Sequence, residues 1–291
     1  MRDFPTPTLP FASLTLRAAD KRAPTMRIAT GAGAGLQVSW VDSGDGLREA
    51  QRLRYDVFAT EMGANVSGPP GLDVDPFDDY CDHLLIRDVA SQMVVGTYRV
   101  MTPRSARALG RLYAESEFDL SALKSLRPDM VEVGRSCVHR DFRQGAVILA
   151  LWGGLGAYMR AHGFQWMLGC SSVPMSDGGR FAANLYHSLG QSLVPQSQRV
   201  TPHHPLRVAA LATGEAVTPP ALFKGYLRLG AKICGEPAWD PDFNCADFLT
   251  LLRMTDIHPR YARHFFGGPN QSKGVEMRER ERSPLLERPD I

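Results

Sequence analysis

Met130-Val131-Glu132-Val133-Gly134-Arg135-Ser136-Cys137-Val138-His139-Arg140-Asp141-Phe142-Arg143-Gln144-Gly145-Ala146 is the stretch whose reading decides the fold. The run from Met130 to Val138 predicts a strand, with Val131, Val133 and Val138 as its β-branched residues. A basic loop follows. Ala146 to His162 then reads as a helix, stopped by Gly163. A helix N-terminus presents unpaired N–H groups and the positive end of the helix dipole. Arg140, Arg143 and Gly145 stand just ahead of that terminus. They form either an anion-binding loop or an ordinary connection with two solvated arginines.

Working outward, the same α/β alternation runs from about residue 36 to residue 266. Leu36 to Trp40 predicts a first strand. Leu47 to Met62 carries apolar residues at helical period. His83 to Asp88 and Met93 to Met101 predict adjacent strands joined by a short turn. Gln165 to Ser171 is a further strand, and Asp177 to Leu189 a helix with Gly190 as its C-cap. Pro219-Pro220 opens a helix over Ala221 to Leu229, which Gly230 ends. Phe248 to Met254 is a late strand, and Pro259 to Phe266 closes the core. Residues 1–35 are expected to be a disordered extension, rich in Pro and then Gly, and residues 267–291 a disordered tail. No internal repeat is present.

Composition bounds the classes. The 291 residues are 44% hydrophobic and 22% charged, ordinary values for a globular chain. A formal net charge of +2 argues against bulk nucleic-acid binding. The five cysteines include no C-x-x-C pair, so reduced thiols in a cytoplasm are expected, and no metal site. The longest apolar run, Ala146 to Met159, has 14 residues. That is short of the ~20 a membrane helix needs. Peripheral contact with the inner membrane face stays open.

Three resemblances carry the functional reading. Val138 to Ala146 resembles the acyl-donor loop of the GNAT acyltransferase superfamily, with the glycine displaced to Gly145. Arg54 and Phe58, Asp75-Pro76-Phe77-Asp78, Gly96-Thr97-Tyr98-Arg99 and Glu132-Val133-Gly134-Arg135 resemble, in order, the polar pattern of acyl-homoserine-lactone synthases. Gly134 stands where that branch has serine. Pro219 to Asp240, Phe243-Asn244-Cys245-Ala246-Asp247 and Pro259 to Phe265 resemble the C-terminal half of the bacterial L-ornithine Nα-acyltransferases.

These resemblances imply a GNAT-type α/β fold, a central mixed sheet flanked by helices, with C-terminal additions. The implied reaction moves a 3-hydroxyacyl chain from acyl carrier protein to the α-amino group of L-ornithine, without a separate cofactor. An acyl-homoserine-lactone synthase and a non-catalytic acyl-carrier or lipid-binding module are the alternatives.

Roles follow from chemistry and resemblance together. Glu132 is either the base that accepts the amine proton or a structural partner of Arg135. Tyr186 resembles the superfamily tyrosine that protonates the leaving thiolate, or is a packed aromatic. Arg54, Phe58, Asp75, Asp78, Arg99 and Arg135 are the expected acceptor-binding set, with acids for an ammonium and a guanidinium for a carboxylate. Asp82 extends the acids. Gly134, Arg140, Arg143 and Gly145 are the expected acyl-donor set. Lys224, Arg228 and Lys232 form a basic stripe if the helix continues past Gly230. Leu222, Phe223, Tyr226, Leu227 and Trp239 line an acyl channel or pack the core.

Overall fold

The computed structural model describes residues 26–30 and 34–257. The expectations for the Pro-rich start, for Pro259 to Phe266 and for the 267–291 tail lie outside the described residues. The strands are β1 (Met26–Thr30), β2 (Ala34–Val41), β3 (Asp82–Asp88), β4 (Val94–Met101), β5 (Phe118–Asp119), β6 (Met130–Val138), β7 (Trp166–Pro174), β8 (Thr201–Pro202), β9 (Lys232–Ile233), β10 (Ala238–Asp240) and β11 (Cys245–Arg253). The α-helices are α1 (Gly44–Tyr55), α2 (Pro103–Leu109), α3 (Ala146–His162), α4 (Arg180–Ser188), α5 (Val208–Leu211) and α6 (Ala221–Leu229). The main sheet runs β1-β2-β3-β4-β6-β7-β11-β10, with β9 also on β11, while β5 and β8 pair separately. Among the described strands β6 and β7 pair in parallel and the other ladders are antiparallel. The mixed sheet expected from the sequence is therefore present.

Side chains alternate across a strand, so β3 feeds both faces. Leu85 packs with Ala50, Leu53 and Val57 of α1 and its extension. Leu84 and Ile86, completely buried, pack with Val147, Leu151 and Leu155 of α3. Each of those two contributes about 1.5–3 kcal/mol by leaving water. Helices α1 and α3 thus cover opposite faces of the sheet. Gly225 lets α6 lie against α3, since a Cβ there would meet the Trp152 ring at 2.2 Å.

Three differences from the sequence expectation bear on the site. The stretch 1–35, expected to lack structure, contains β1 and the start of β2, whose pairing runs from Met26↔Val38 to Thr30↔Ala34. The helix expected over Leu47 to Met62 turns π-helical at Asp56–Glu61. Such wide turns shift the side chains that follow them. Strand β6 carries a bulge: Thr97 faces Cys137, but Arg99 faces Gly134, and Arg135 sits at φ 50°.

Candidate active site

The parallel pair β6/β7 holds only at Met130↔Trp166, Val131↔Met167 and Glu132↔Leu168. Beyond that rung β6 continues to Val138 and β7 to Pro174 without pairing to each other. The last close approach is at Gly169, where a Cβ would meet the Val133 carbonyl oxygen at 2.4 Å. The gap opens into a cavity of about 520 Å³, lined by both strands. Backbone groups of β6 past Glu132 lack a β7 partner there, as an inserted chain or an oxyanion requires.

Glu132 lines the cavity at the rung where the strands part. It is 6% exposed. Its carboxylate accepts from the backbone N–H of Tyr113 at 2.6 Å and of Ala114 at 2.7 Å. It does not pair with Arg135, so that alternative is set aside. Burial pushes its pKa up to about 7, against the opposing pull of the two backbone donors and Arg99. A carboxyl that titrates near neutrality suits a general base.

The expected acceptor-binding residues do converge, but mostly on one another. Arg54 is fully buried. Its Nε donates to Asp73 at 2.8 Å, and Nη1 and Nη2 donate to Asp78 at 2.9 and 2.7 Å. Nη2 also donates to the Asp73 carbonyl. Arg99 donates to Asp75 at 2.6 Å and Asp78 at 2.9 Å, and Arg135 donates to Asp75 at 3.2 Å. Burial alone would raise the Asp78 pKa, yet the Arg54 bonds and charge, with Arg99, hold it below the usual carboxylate range. Asp75 is lowered likewise, with Arg99 outweighing burial. Asp75, Asp78 and Arg54 are therefore corrected: they do not line the cavity, and their charges are spent within the network. Asp82 accepts from the Tyr158 hydroxyl at 2.5 Å.

Phe58, Arg99, Gly134, Arg135 and Arg143 do line the cavity. Phe58 meets Phe243 edge to face at 5.7 Å. The Arg135 guanidinium lies 4.7 Å from the Phe243 ring centre and 5.5 Å from that of Tyr113. Its buried Nε lies 3.5 Å from the Asp73 carboxylate. A Cβ at Gly134 would meet nothing within 4 Å, so space does not demand glycine there.

The basic loop is tied down rather than free. Arg143 donates to the Val138 carbonyl at 3.1 Å and to Glu61 at 2.8 Å, and Arg140 lies 3.4 Å from the same Glu61 carboxylate. Glu61 closes the π-helical turn. Gly145 caps α3 at φ 102°. Arg140 and Gly145 stay outside the cavity wall.

Tyr186 needs correction too. It sits on α4 in the cluster around Phe223 and Phe248, away from the cavity. Burial raises its pKa, and Arg199 and Glu236 are its charged neighbours. The α4 apolar face turns it there. The tyrosines that do line the cavity are Tyr98, Tyr113 and Tyr226; Tyr98 and Tyr226 bond to each other, and burial raises the pKa of all three. Of the apolar channel residues, Leu222 and Tyr226 line it. Phe223 packs on Phe248 and Trp239 is exposed. Lys232 falls on β9, so the basic stripe ends with α6.

On the far side of the cavity stand Asp240, Cys245 and Asp247, which sequence reasoning left without a role. The alternation Cys245, Asp247, Leu249, Leu251 on one face of β11 is the signal that points Asp247 inward.

Comparison with known proteins fits this geometry. Residues 53–153 match the acetyltransferase (GNAT) domain. The L-ornithine N(alpha)-acyltransferase of Brucella abortus (strain 2308) is 34% identical over 261 residues, covering 81% of this chain and 90% of that protein. The chain belongs to the L-ornithine N(alpha)-acyltransferase family. A second relative of that name, from Rhizobium meliloti (strain 1021), is 33% identical over 256 residues, 80% of this chain and 84% of the relative. Among solved structures, the CoA-dependent acyl-homoserine lactone synthase BjaI aligns with TM-score 0.45 at 18% identity, over 77% of this chain and 84% of its own.

Proposed function

We propose that this chain moves a 3-hydroxyacyl group from the phosphopantetheine thioester of acyl carrier protein to the α-amino group of L-ornithine, giving lyso-ornithine lipid. The observation that carries the reading is Glu132, buried at the last β6/β7 rung and facing the cavity where the strands part. The relatives' name supports the acceptor. The carrier brings its own phosphopantetheine arm, so the scheme uses no separate cofactor.

Glu132 takes a proton from the α-ammonium, directly or through water, and passes it to solvent. The neutral nitrogen attacks the thioester carbon, and a C–N bond forms. Unpaired β6 N–H groups near Gly134 receive the oxyanion. Its collapse breaks the C–S bond. The Tyr226 hydroxyl, on the α3 and α6 side, protonates the departing thiolate, and Tyr98 relays the replacement. The proton lost as the amide forms balances the one the thiol gains. The product is an amphiphile that partitions to membrane surfaces, and no helix among the described residues is long and apolar enough to cross a membrane.

Pure protein with 3-hydroxyacyl carrier protein and L-ornithine should yield N-acyl-ornithine by mass spectrometry. Glu132→Gln should lower kcat by at least ~100-fold while circular dichroism is unchanged. The wild-type rate should rise with pH through about 7 as Glu132 ionises. A variant that keeps this limb of the profile, or full activity, removes Glu132 from the chemistry.

A further inference from the structure

Asp247 is a buried carboxyl without a cation. It is 3% exposed and lines the cavity. Its neighbours are neutral or acidic: the Cys245 thiol at 3.5 Å, the Ser172 hydroxyl and the Glu117 carboxyl. Among the described residues, no ion pair with Lys, Arg or His reaches it. Glu117 behind it hydrogen-bonds Asp247, carboxyl to carboxyl, and accepts from the Tyr113 hydroxyl. Asp240 adds a third carboxyl, its Oδ1 already accepting from the backbone N–H of Asp242 and Phe243. Contrast Asp73, Asp75 and Asp78, each with a guanidinium within 3 Å. Isolated buried carboxylates are costly unless something cationic meets them.

Placement across the sheet adds direction. Met101, Leu168 and Leu249 share one apolar cluster and hence one sheet face. Alternation puts Arg99, Glu132, Cys170 and Asp247 on that face as well. The strand order is β4-β6-β7-β11. The Arg99 guanidinium therefore stands at one side, Asp247 lies opposite on β11, and the strand of Glu132 runs between them. Arg135 joins the Arg99 side and lines the cavity, its Nη2 on Asp75 at 3.2 Å and its Nε 3.5 Å from Asp73.

We infer that Asp247, supported by Glu117 and Asp240, receives the distal ammonium of a diamino acid whose α-carboxylate faces Arg135. This rests on the proposed reaction and deepens it. The acceptor then lies across the sheet, and its α-amine falls on the Glu132 strand. Burial, and next the Asp247 charge, raises the pKa of Glu117; burial raises that of Asp247, with the Asp240 charge adding to it against the hydrogen bonds from Ser172 and Glu117. An incoming ammonium lets that pair ionise. Discrimination against an acceptor lacking the amine follows because only the ammonium gains an ion pair there, whereas a methyl end would press on buried polar groups.

The test compares L-ornithine with L-norvaline, which has the same carbon chain and no distal amine. Acylation is read as kcat/KM for each, on the full chain with acyl carrier protein donor. The wild-type ratio should favour ornithine by at least ~100-fold. Asp247→Asn should cut that ratio at least ~10-fold. A wild-type ratio near one overturns the inference without need of any variant. So does a ratio that Asp247→Asn leaves intact. Stoichiometric divalent metal in the purified protein, with activity lost to a chelator, also overturns it, because the carboxyls would then hold an ion. Failure to acylate either amino acid would instead reject the proposed reaction itself.

Discussion

Arg54 and Asp78 sit sealed beneath the cavity, and their pairing is a matter of stability before it is one of substrate. Removing one partner of a buried pair costs about 3–5 kcal/mol, because the other charge is stranded. Asp78→Asn should lower the unfolding free energy by that order at pH 7, read from denaturant titration. The folded pKa of Asp78 is depressed, so its contribution is present above about pH 4 and fades as pH falls towards the folded value. The cost of the variant should shrink in the same window, and an equal cost at pH 7 and pH 3 would assign the loss to packing. The residues of this network are legible in the chain as a set: Arg54, Asp75, Asp78, Arg99 and Arg135 do meet. What spacing does not reveal is which of them are satisfied internally. Asp247 lacked a signal of comparable strength, since a lone acid on an apolar strand becomes informative only once its neighbours are known.

At the scale of elements, the site depends on where β6 and β7 stop pairing. Gly169 sets the last tight contact, with its missing Cβ facing the Val133 carbonyl. Gly169→Ala would force the strands apart one rung early. The expected cost is about 1–3 kcal/mol, read as a fall of several degrees in Tm. An unchanged melting curve would mean that the β6/β7 contact is looser than described. Periodicity finds the long elements well: β4, β6, α3 and α6 lie close to their expected bounds. It does not find the bulge at Arg135 or the π turn at Asp56–Glu61, because each adds a residue that pairing and packing accommodate, and no pattern in the chain marks it. Short β9 and β10 also escape, since two or three residues carry no period.

For the whole molecule, charge is nearly balanced, yet Arg140, Lys224 and Arg228 are exposed. Arg140 stands on the loop ahead of α3, close to the cavity mouth through its neighbour Arg143. An acidic carrier docking there gains from complementary charge. The KM for acyl carrier protein should rise as ionic strength passes ~0.1 M, whereas that for a short uncharged thioester should stay flat. Equal salt response of both donors would argue against charge-guided docking.

Strand β11 runs its whole length against β7 and brings Asp247 to the cavity wall. It is also the last strand among the described residues. Ribosomes deliver a chain from its N-terminus at ~5–20 residues per second. A nascent polypeptide therefore exposes Glu132 well before the opposite wall exists. Such an unfinished product lacks the β11 wall of the cavity, so the cleft closes only after that strand has been made.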